Sequence, residues 1–389
     1  MRIAFCTDSL PPLADGVTRT LSEVAPALLA AGEELLFLAA TRPDPRLPWR
    51  DHVHCIPSVP FPLYRAYRMG LPLGPGPDLA LDRFAPDLIH VVTPSLLGLY
   101  GLRYGERRGV PVVASFHTNF VSLFRYYGLR PLEGLGRLLM RRFYNRCAVT
   151  LAPSRTAAAD LRAVGIRNVA LWWRGVDHAR FAPSFRNSVL RASAGVGDAP
   201  VLLYVGRLAR EKNLNYLVAV AQELERCGTA FRLVIVGDGP LRRRLARALP
   251  RAHFTGQLRQ DQLAAWYASA DIFLFPSAHE TFGNVVLEAF ASGLPVVAVQ
   301  RGGVQELVRP GRNGFLAPAD APAVFAEITR GLLEDPALLA RLSDQARATA
   351  ARYRWSDVSS RLLACYQHVL HGSAHVVEDV EAVAVADGA

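Results

Sequence analysis

Four side chains in the second half of the chain have the types and spacing needed to bind a phosphorylated sugar. Arg207 and Lys212 lie five residues apart in GRLAREKNLN, and Lys212 is the only lysine among 44 Lys and Arg residues. Glu280 and Glu288 lie eight residues apart in HETFGNVVLEAF. Cations donate charge-assisted hydrogen bonds to a diphosphate, whereas carboxylates accept hydrogen bonds from sugar hydroxyls. The set therefore fits a sugar linked to a nucleoside diphosphate better than a bare phosphate or a nucleic acid.

These side chains follow the ends of predicted parallel strands. In open α/β sheets, ligands bind where strands end and helices begin, because helix N-termini present N–H groups to anions. Gly206 and Gly237 end two apolar segments, and Gly237 opens the turn GDGP, whose glycines would let the backbone approach a ligand closely. Gly283 is expected where a helix begins. The sequence thus predicts a donor-binding edge in the second half of the chain.

A repeated β-α rhythm predicts an α/β fold with two Rossmann-like domains. Short apolar segments predict ten buried strands, at 2–8, 34–40, 87–92, 110–117, 148–154, 200–206, 231–237, 253–256, 271–277 and 294–299. The join is expected within the polar stretch 175–199. The predicted divisions are an N-terminal acceptor domain (1–180), a C-terminal nucleotide-sugar domain (181–350), a helix returning toward the N-terminal domain (351–371) and a disordered tail (372–389).

Composition restricts the class of protein without identifying the partner. The net charge of +10 and the pI of about 9.7 suit a polyanion, an anionic membrane surface or a phosphorylated substrate. No apolar run reaches the roughly 18–20 residues of a membrane-spanning helix, and the N-terminus lacks the apolar segment of a signal peptide. Five dispersed cysteines predict neither disulfides nor a metal site. The expected location is the cytoplasm.

The segment from Glu280 to Glu306, ETFGNVVLEAFASGLPVVAVQRGGVQE, followed by GRNGFLAP, resembles the signature of family 4 glycosyltransferases. That family has the GT-B fold, with two Rossmann-like domains facing a central cleft, and retains the anomeric configuration. Four segments of the N-terminal half resemble its branch of lipid-directed mannosyl-, glucosyl- and sulfoquinovosyl-transferases: TDSLPPLADGVTRTL, HVVTPSLLGLYGL, SFHTNFVSLFRYYGL and LWWRGVDHARFAP. Asp15 departs from the pattern, because many members have a second glycine before the position of Gly16.

The resemblance implies a role for each matching residue. Arg207 and Lys212 would bind the diphosphate, Glu280 the donor sugar and Glu288 the ribose. His117 would contact the sugar from the N-terminal domain, whereas His90 is expected to be a structural core residue. The implied backbone and loop contacts to the donor come from Gly16, Gly206, Gly237, Phe282, Gly283, Asn284 and Val285.

The residue types also predict how the reaction proceeds. A departing nucleoside diphosphate gains negative charge, so positioned cations stabilise the transition state more than the ground state. Because Arg207 and Lys212 can replace a divalent ion, we expect no metal and no other cofactor. No carboxylate stands out as a covalent nucleophile, which favours front-face attack with the departing phosphate accepting the acceptor's proton.

Two segments that interleave arginine with apolar residues are candidates for the acceptor or membrane side. PSVPFPLYRAYRMGLPLG contains Tyr64, Arg65 and Arg68, and GLGRLLMRRFYNRC contains Arg141 and Arg142. Both could lie at an anionic bilayer, placing the protein peripherally on the inner face of the cytoplasmic membrane. The alternative is that their apolar residues pack in the core and the arginines are simply solvated.

Two other functions compete with the transferase. A nucleotide-sugar epimerase of similar fold would need acid–base groups around the sugar ring, and the E-x7-E spacing argues against it. A basic nucleic-acid-binding protein would explain the charge. However, no RNA- or DNA-binding motif is recognisable, so nucleic acid is not an expected partner.

Overall fold

The computed structural model describes residues 1–13, 15–61, 64–117, 128, 130–196 and 199–372. The chain forms two compact units. The first unit consists of Met1–Arg174 together with the described residues from Trp355 onward, and the second unit is Gly175–Arg354. The chain first passes from one unit to the other between Arg174 and Gly175, at the start of the predicted join, 175–199. The predicted tail, 372–389, lies outside the described residues apart from Gly372.

The elements are numbered in chain order. The strands are β1 Arg2–Thr7, β2 Glu34–Ala39, β3 Val53–Cys55, β4 Ser58–Phe61, β5 Tyr64–Gly70, β6 Leu88–Val91, β7 Val112–Ser115, β8 Val149–Ala152, β9 Val169–Leu171, β10 Val201–Val205, β11 Arg232–Val236, β12 His253–Gly256, β13 Ile272–Phe275, β14 Val296–Val299 and β15 Gly314–Ala317. The α-helices are α1 Gly16–Ala30, α2 Gly76–Phe84, α3 Leu96–Arg108, α4 Glu133–Tyr144, α5 Arg155–Ala163, α6 Ser188–Ser193, α7 Leu214–Arg226, α8 Arg242–Ala248, α9 Gln260–Ser269, α10 Asn284–Ala291, α11 Val304–Leu307, α12 Pro322–Glu334, α13 Pro336–Ala350 and α14 Trp355–His371.

Each unit is built on a parallel sheet. The strand order is β3-β2-β1-β6-β7-β8-β9 in the first unit and β12-β11-β10-β13-β14-β15 in the second. Every residue of β10 is buried, as are all residues of β6, β13 and β14. Burial on both faces is typical of parallel strands covered by helices, and it explains why these segments are continuously apolar. The predicted α/β class with two Rossmann-like units is confirmed.

All ten predicted strands are present, but short or polar strands escaped the sequence analysis. These are β3, β9 and β15 at sheet edges, and the antiparallel pair β4–β5, which forms a separate two-stranded sheet. The β5 segment YRAYRMG was assigned to a possible bilayer surface. Its alternating polar residues instead belong to a hairpin strand, a pattern that is weak for such a short segment.

The C-terminal helix belongs to the core of the first unit. The returning helix predicted at 351–371 is α14, which begins at Trp355, and residues 351–354 separate it from α13. In α14, Val358, Leu362 and Tyr366 are fully buried against the apolar residues around β1. The indole Nε1 of Trp172 donates to the Val358 carbonyl at 3.1 Å. No helix in the described part of the chain is both long and apolar enough to cross a bilayer.

Candidate active site

The second unit brings its predicted site residues together at the carboxyl edge of its sheet. Strands β11, β10 and β13 are neighbours there, so the loops that follow them lie side by side. The loops after β10 and β11 are joined by backbone bonds. Gly206 N–H donates to the Val236 carbonyl at 3.0 Å, and Leu208 N–H donates to the Asp238 carbonyl at 2.9 Å. The two loops therefore form one ledge along the sheet edge.

The glycines of this ledge are required by the contact between its two loops. Gly237 has φ of +136°, and a Cβ added there would lie 2.0 Å from the Gly206 carbonyl oxygen. A Cβ at Gly239 would lie 2.5 Å from the Leu208 carbonyl oxygen. From the sequence, the glycines of GDGP are expected to let a ligand approach the backbone closely. The structure supplies a nearer reason, because protein backbone already occupies the space that a side chain would need.

Lys212 ends a 3₁₀ turn, Arg210–Lys212, that is fixed by the next residue. Asn213 adopts the left-handed conformation with φ of 54°, and its side-chain amide donates to the Pro276 carbonyl at 3.2 Å. This bond ties the turn to the loop after β13. Asparagine tolerates left-handed φ better than most residues do, so it suits this position. Asn213 is not among the predicted site residues, although its place directly after the lysine is a usable signal.

Lys212 and Glu280 form an ion pair across the two loops. Lys212 Nζ donates to Glu280 Oε2 at 2.7 Å, and about a quarter of each side chain is exposed, 27% and 24%. Arg207 lies in the same ledge, with Nη1 at 3.6 Å from Glu211 Oε1. The buried Tyr204 hydroxyl donates to the Arg207 carbonyl at 3.3 Å. Burial raises the pKa of Tyr204, and so do the charges of Glu280 and Glu211, so the hydroxyl remains a donor. The two predicted cations and Glu280 therefore share one partly exposed surface.

The Glu280 loop rests on a second pair of glycines. Gly303 N–H donates to the Glu280 carbonyl at 2.9 Å. A Cβ at Gly302 would lie 2.5 Å from the Glu280 carbonyl oxygen, and one at Gly303 would lie 2.3 Å from that of Thr281. These glycines lie in the segment VQRGGVQE, and their supporting role could not be seen from spacing alone.

Helix α10 presents its N-terminus beside Glu280. Gly283 precedes the helix with φ of +106°, and Asn284 and Val285 are its first residues. The first N–H groups of a helix have no partner within that helix and favour anions. Phe282 is buried, with its ring edge-to-face with Tyr353 at 6.2 Å.

Glu288 lies one turn further along α10 and is only 2% exposed. Glutamates at this spacing are usually solvated, but the burial of Glu288 excludes that alternative for this residue. Charged side chains are rarely so deeply buried without a specific role.

His117 follows β7 in the first unit and contacts Arg174. Nη2 of Arg174 donates to His117 Nδ1 at 3.1 Å. Burial, then the charge of Arg174, holds the pKa of His117 well below its usual range. His117 is therefore uncharged at neutral pH.

His90 is a core residue, as expected. It is 1% exposed, and its nitrogens contact the Tyr366 hydroxyl through Nδ1 and Ser115 Oγ through Nε2 at 2.6 Å. Burial lowers the pKa of His90 to about 3.

The loop after β1 also differs in detail from the family pattern. Asp15 caps α1, its carboxylate accepting from Thr18 N–H at 2.7 Å, and Gly16 is the first helical residue. The capping bond gives Asp15 a structural reason to stand where many relatives have glycine.

A buried carboxylate that the sequence analysis missed lies at the end of β1. Asp8 is fully buried, and it accepts from Gly70 N–H at 2.8 Å, Thr93 Oγ1 at 3.0 Å and the Tyr67 hydroxyl at 3.1 Å. Two of these donors belong to β5. Asp8 therefore anchors the β4–β5 hairpin to the sheet.

The five candidates for the acceptor or membrane side fall into separate groups. Arg68 donates within its hairpin, to Ser58 Oγ at 2.8 Å and to the Ser58 carbonyl at 2.6 Å, and its role at an acceptor or bilayer stays a prediction. Arg141 and Arg142 are exposed on α4. The side chains of Tyr64 and Arg65 lie outside what the structure describes.

The sequence comparisons identify the family. Residues 14–180 match the model described as Glycosyltransferase Family 4, and residues 199–335 match the one described as Glycosyl transferases group 1. A GDP-mannose-dependent alpha-mannosyltransferase of Mycolicibacterium smegmatis is 37% identical, over 95% of this chain and 98% of that protein. One from Mycobacterium tuberculosis is 40% identical over 82% of this chain and 84% of that protein. A sulfoquinovosyl transferase of Arabidopsis thaliana is 35% identical over 78% of this chain and 61% of that protein.

Solved structures agree with the fold. A sucrose-phosphate synthase of Thermosynechococcus elongatus superposes with a TM-score of 0.78 at 22% identity, covering 96% of this chain and 100% of that one. An Anabaena protein solved in complex with UDP superposes with a TM-score of 0.75 at 21% identity, covering 94% and 98%. The fold is GT-B. With the cations, the carboxylates and the glycine-supported loops of its second unit, the chain is an enzyme that belongs to the family 4 glycosyltransferases.

Proposed function

We propose that this enzyme moves a hexose from a UDP- or GDP-sugar to a hydroxyl acceptor, with retention of the anomeric configuration. Within that class of donors, we propose GDP-mannose. The observation that carries the proposal is the Lys212–Glu280 ion pair beside the N-terminus of α10. Cation, carboxylate and helix N-terminus are the three kinds of group that a sugar diphosphate needs. The two GDP-mannose-dependent relatives, matched over most of their length, support the choice of donor.

In the proposed mechanism, Arg207 and Lys212 bind the diphosphate and stabilise its charge as it departs. Arg207 offers a planar fork with two donors, and Lys212 offers a compact charge. Glu280 accepts from the sugar hydroxyls, and Glu288 accepts from the ribose. The first N–H groups of α10 and the loop at Phe282 complete the donor contacts.

We propose front-face attack as the origin of retention. The bond between the sugar C1 and the phosphate oxygen breaks, and the acceptor oxygen bonds to C1 on the same face. The departing phosphate oxygen takes the acceptor's proton, so no enzyme carboxylate forms a covalent bond. Mass spectrometry during turnover is expected to find unmodified protein, whereas a glycosyl adduct on a carboxylate would refute this step.

The donor can be tested with a panel of nucleotides and nucleotide sugars. We expect GDP to raise the melting temperature more than UDP or ADP does, and GDP-mannose to be hydrolysed slowly or transferred to a component of a total lipid extract. Oligonucleotides serve as the comparison ligand. Stabilisation by oligonucleotides alone would overturn the enzymatic proposal, and interconversion of the donor sugar without transfer would favour an epimerase.

We also propose that catalysis needs no metal, because Lys212 and Arg207 supply positive charge at the diphosphate. Activity is expected to persist in excess EDTA. Loss of activity in EDTA that added Mg²⁺ or Mn²⁺ restores would contradict this.

We propose a membrane lipid or glycolipid as the acceptor, reached from the cytoplasmic face of an anionic membrane. Helix α4 supports this. Leu135 and Leu139 on the helix and Leu132 just before it are 46–56% exposed, and Arg141 and Arg142 lie on the same short helix. Apolar side chains with flanking arginines are typical of helices that lie in a bilayer interface.

Flotation with vesicles of anionic lipid tests this surface. We expect binding at low salt that weakens as salt rises, and a large loss when Leu135 and Leu139 are both replaced by serine. A matched control replaces the exposed Leu79 and Val324, which lie outside α4, in the same way. Equal flotation of both double variants would contradict a role for α4.

A further inference from the structure

Arg174, the last residue before the chain passes to the second unit, is a buried arginine with several close contacts in the first unit. Only 3% of Arg174 is exposed. Its Nη1 donates to the carbonyls of Trp172 at 2.6 Å and Trp173 at 3.1 Å, and its Cζ lies 4.4 Å from the centre of the Trp172 ring. Its Nη2 contacts His117 Nδ1 at 3.1 Å.

Within the described part of the chain, this guanidinium is buried without a carboxylate partner. Among the ion pairs formed by the described residues, none joins a carboxylate to Arg174. Burial lowers the pKa of Arg174 to about 9, so that the group still carries its charge at neutral pH. Burying an uncompensated charge is unfavourable, and a neutral amide could satisfy the same carbonyls. The position therefore calls for something that only a guanidinium provides.

What it provides is a defined direction for the bond to His117. A guanidinium can donate hydrogen bonds but cannot accept them. His117 Nδ1 must therefore be the acceptor, which leaves the ring hydrogen on Nε2. The edge-to-face contact between His117 and Trp172, with 6.4 Å between ring centres and 77° between planes, fixes the orientation of the ring. A second positive charge on His117 would face the guanidinium directly.

We propose that Arg174 is a positioning residue that holds His117 as the neutral Nε2–H tautomer, so that His117 offers the donor sugar a hydrogen-bond donor without a positive charge. This rests on the proposed function and on the family resemblance, which implies that His117 contacts that sugar. Neutrality matters there, because positive charge develops at C1 as the bond to phosphate breaks. An imidazolium beside C1 would oppose that charge, whereas a neutral N–H can hold a sugar hydroxyl.

The test reads the tautomer directly. Protein with ¹⁵N-labelled histidine is studied by long-range ¹H–¹⁵N NMR, and the His117 signals are assigned by their loss in His117→Gln. In the unmodified enzyme we expect an unprotonated Nδ1 and a protonated Nε2 at neutral pH. In Arg174→Gln, which can accept as well as donate, we expect the Nδ1 signal to move toward the protonated or exchanging range. We also expect kcat to fall about 10- to 100-fold, with the KM for the donor changed less than threefold.

Two further variants separate positioning from a merely structural role. Arg174→Lys keeps a charged donor, and we expect it to retain the tautomer and recover most of kcat; it also serves if Arg174→Gln does not fold. Arg108→Gln is the matched control, because Arg108 stacks on Tyr104 in the same unit and pairs with Asp82 instead of a histidine. We expect Arg108→Gln to leave the His117 signals unchanged.

Unchanged His117 signals in a folded Arg174→Gln variant, or Nδ1 protonated in the unmodified enzyme, would overturn the proposal. The NMR readout needs no substrate. An enzyme inactive on every nucleotide sugar would therefore count against the proposed function while leaving the tautomer assignment intact.

Discussion

Lys212 is the residue at which charge type matters most. It bonds Glu280 at 2.7 Å from a turn that Asn213 holds in place, so its ammonium has a fixed position between two loops. A guanidinium at the same place would be longer and planar, so we expect it to keep this pair and the proposed phosphate contact less well. The chain uses arginine at every other fixed cationic position, and we propose that the site requires a lysine here.

We expect Lys212→Arg to lower kcat at least tenfold and Lys212→Ala to lower it about 10²–10³-fold, as the loss of a positioned transition-state donor does. The free energy of unfolding should change by less than about 1 kcal/mol, because a partly exposed ion pair contributes little to stability. Steady-state kinetics and urea denaturation measure the two effects. Arg210→Lys, in the same turn but exposed, is the control, and near-normal turnover of Lys212→Arg would contradict the assignment.

The buried His90 makes the free energy of unfolding depend on pH. Its pKa is about 3 in the folded protein and about 6.5 in an unfolded chain, so the unfolded state takes up a proton first. The stabilising contribution is complete above about pH 6.5 and declines as the pH falls toward about 3. At about pH 5 we expect a loss of about 2 kcal/mol from this residue alone.

Urea denaturation at about pH 7.5 and about pH 5 measures this loss. In His90→Gln the difference between the two pH values should shrink by about 2 kcal/mol, even though the variant is less stable at both. His371→Gln, at an exposed histidine on α14, should leave the difference unchanged. An undiminished difference in His90→Gln would show that other groups cause the acid sensitivity.

At the scale of elements, the ledge formed by the loops after β10 and β11 depends on glycine. We expect Gly237→Ala to lower the free energy of unfolding by more than about 2 kcal/mol, since its Cβ would lie 2.0 Å from a backbone oxygen and its φ is +136°. Gly228→Ala should cost about 1 kcal/mol, because φ is +70° there but the surrounding space is open. Equal losses in urea denaturation would mean that the steric contact is not decisive.

The sequence predicts the helices and strands better than it predicts the tertiary contacts that stabilise them. Strands such as β10 and β13 are predictable because both faces are buried and every residue is apolar. The β4–β5 hairpin is not, because its stability comes partly from Asp8, more than fifty residues away from Tyr67 along the chain. Spacing places Lys212 and Glu280 in one site, yet their ion pair depends on Asn213 and on the glycines behind Glu280. These are tertiary contacts, which no local pattern encodes.

At the scale of the whole molecule, the first unit is discontinuous. It needs α14, whose Val358, Leu362 and Tyr366 are fully buried beside Phe5 and its neighbours. Burying each such side chain contributes roughly 1.5–3 kcal/mol, and together they approach the whole stability of a typical domain.

We expect a chain ending at Arg354 to lose the folded first unit, and one ending at Gly372 to keep it. Limited proteolysis followed by mass spectrometry measures this, with cleavage expected across residues 1–174 only in the shorter chain. Full protection of those residues in the shorter chain would mean that α14 is dispensable.

The discontinuity also sets an order of events during synthesis. Helix α14, which packs against β1 and Trp172, is synthesised only after all of the second unit has been translated. At roughly 5–20 residues per second, that interval lasts on the order of 10–40 s. During it, the nascent first unit waits with an uncovered apolar face, while the later-encoded unit is free to fold first. Chaperone demand should therefore peak before translation ends and fall once residues around Tyr366 emerge.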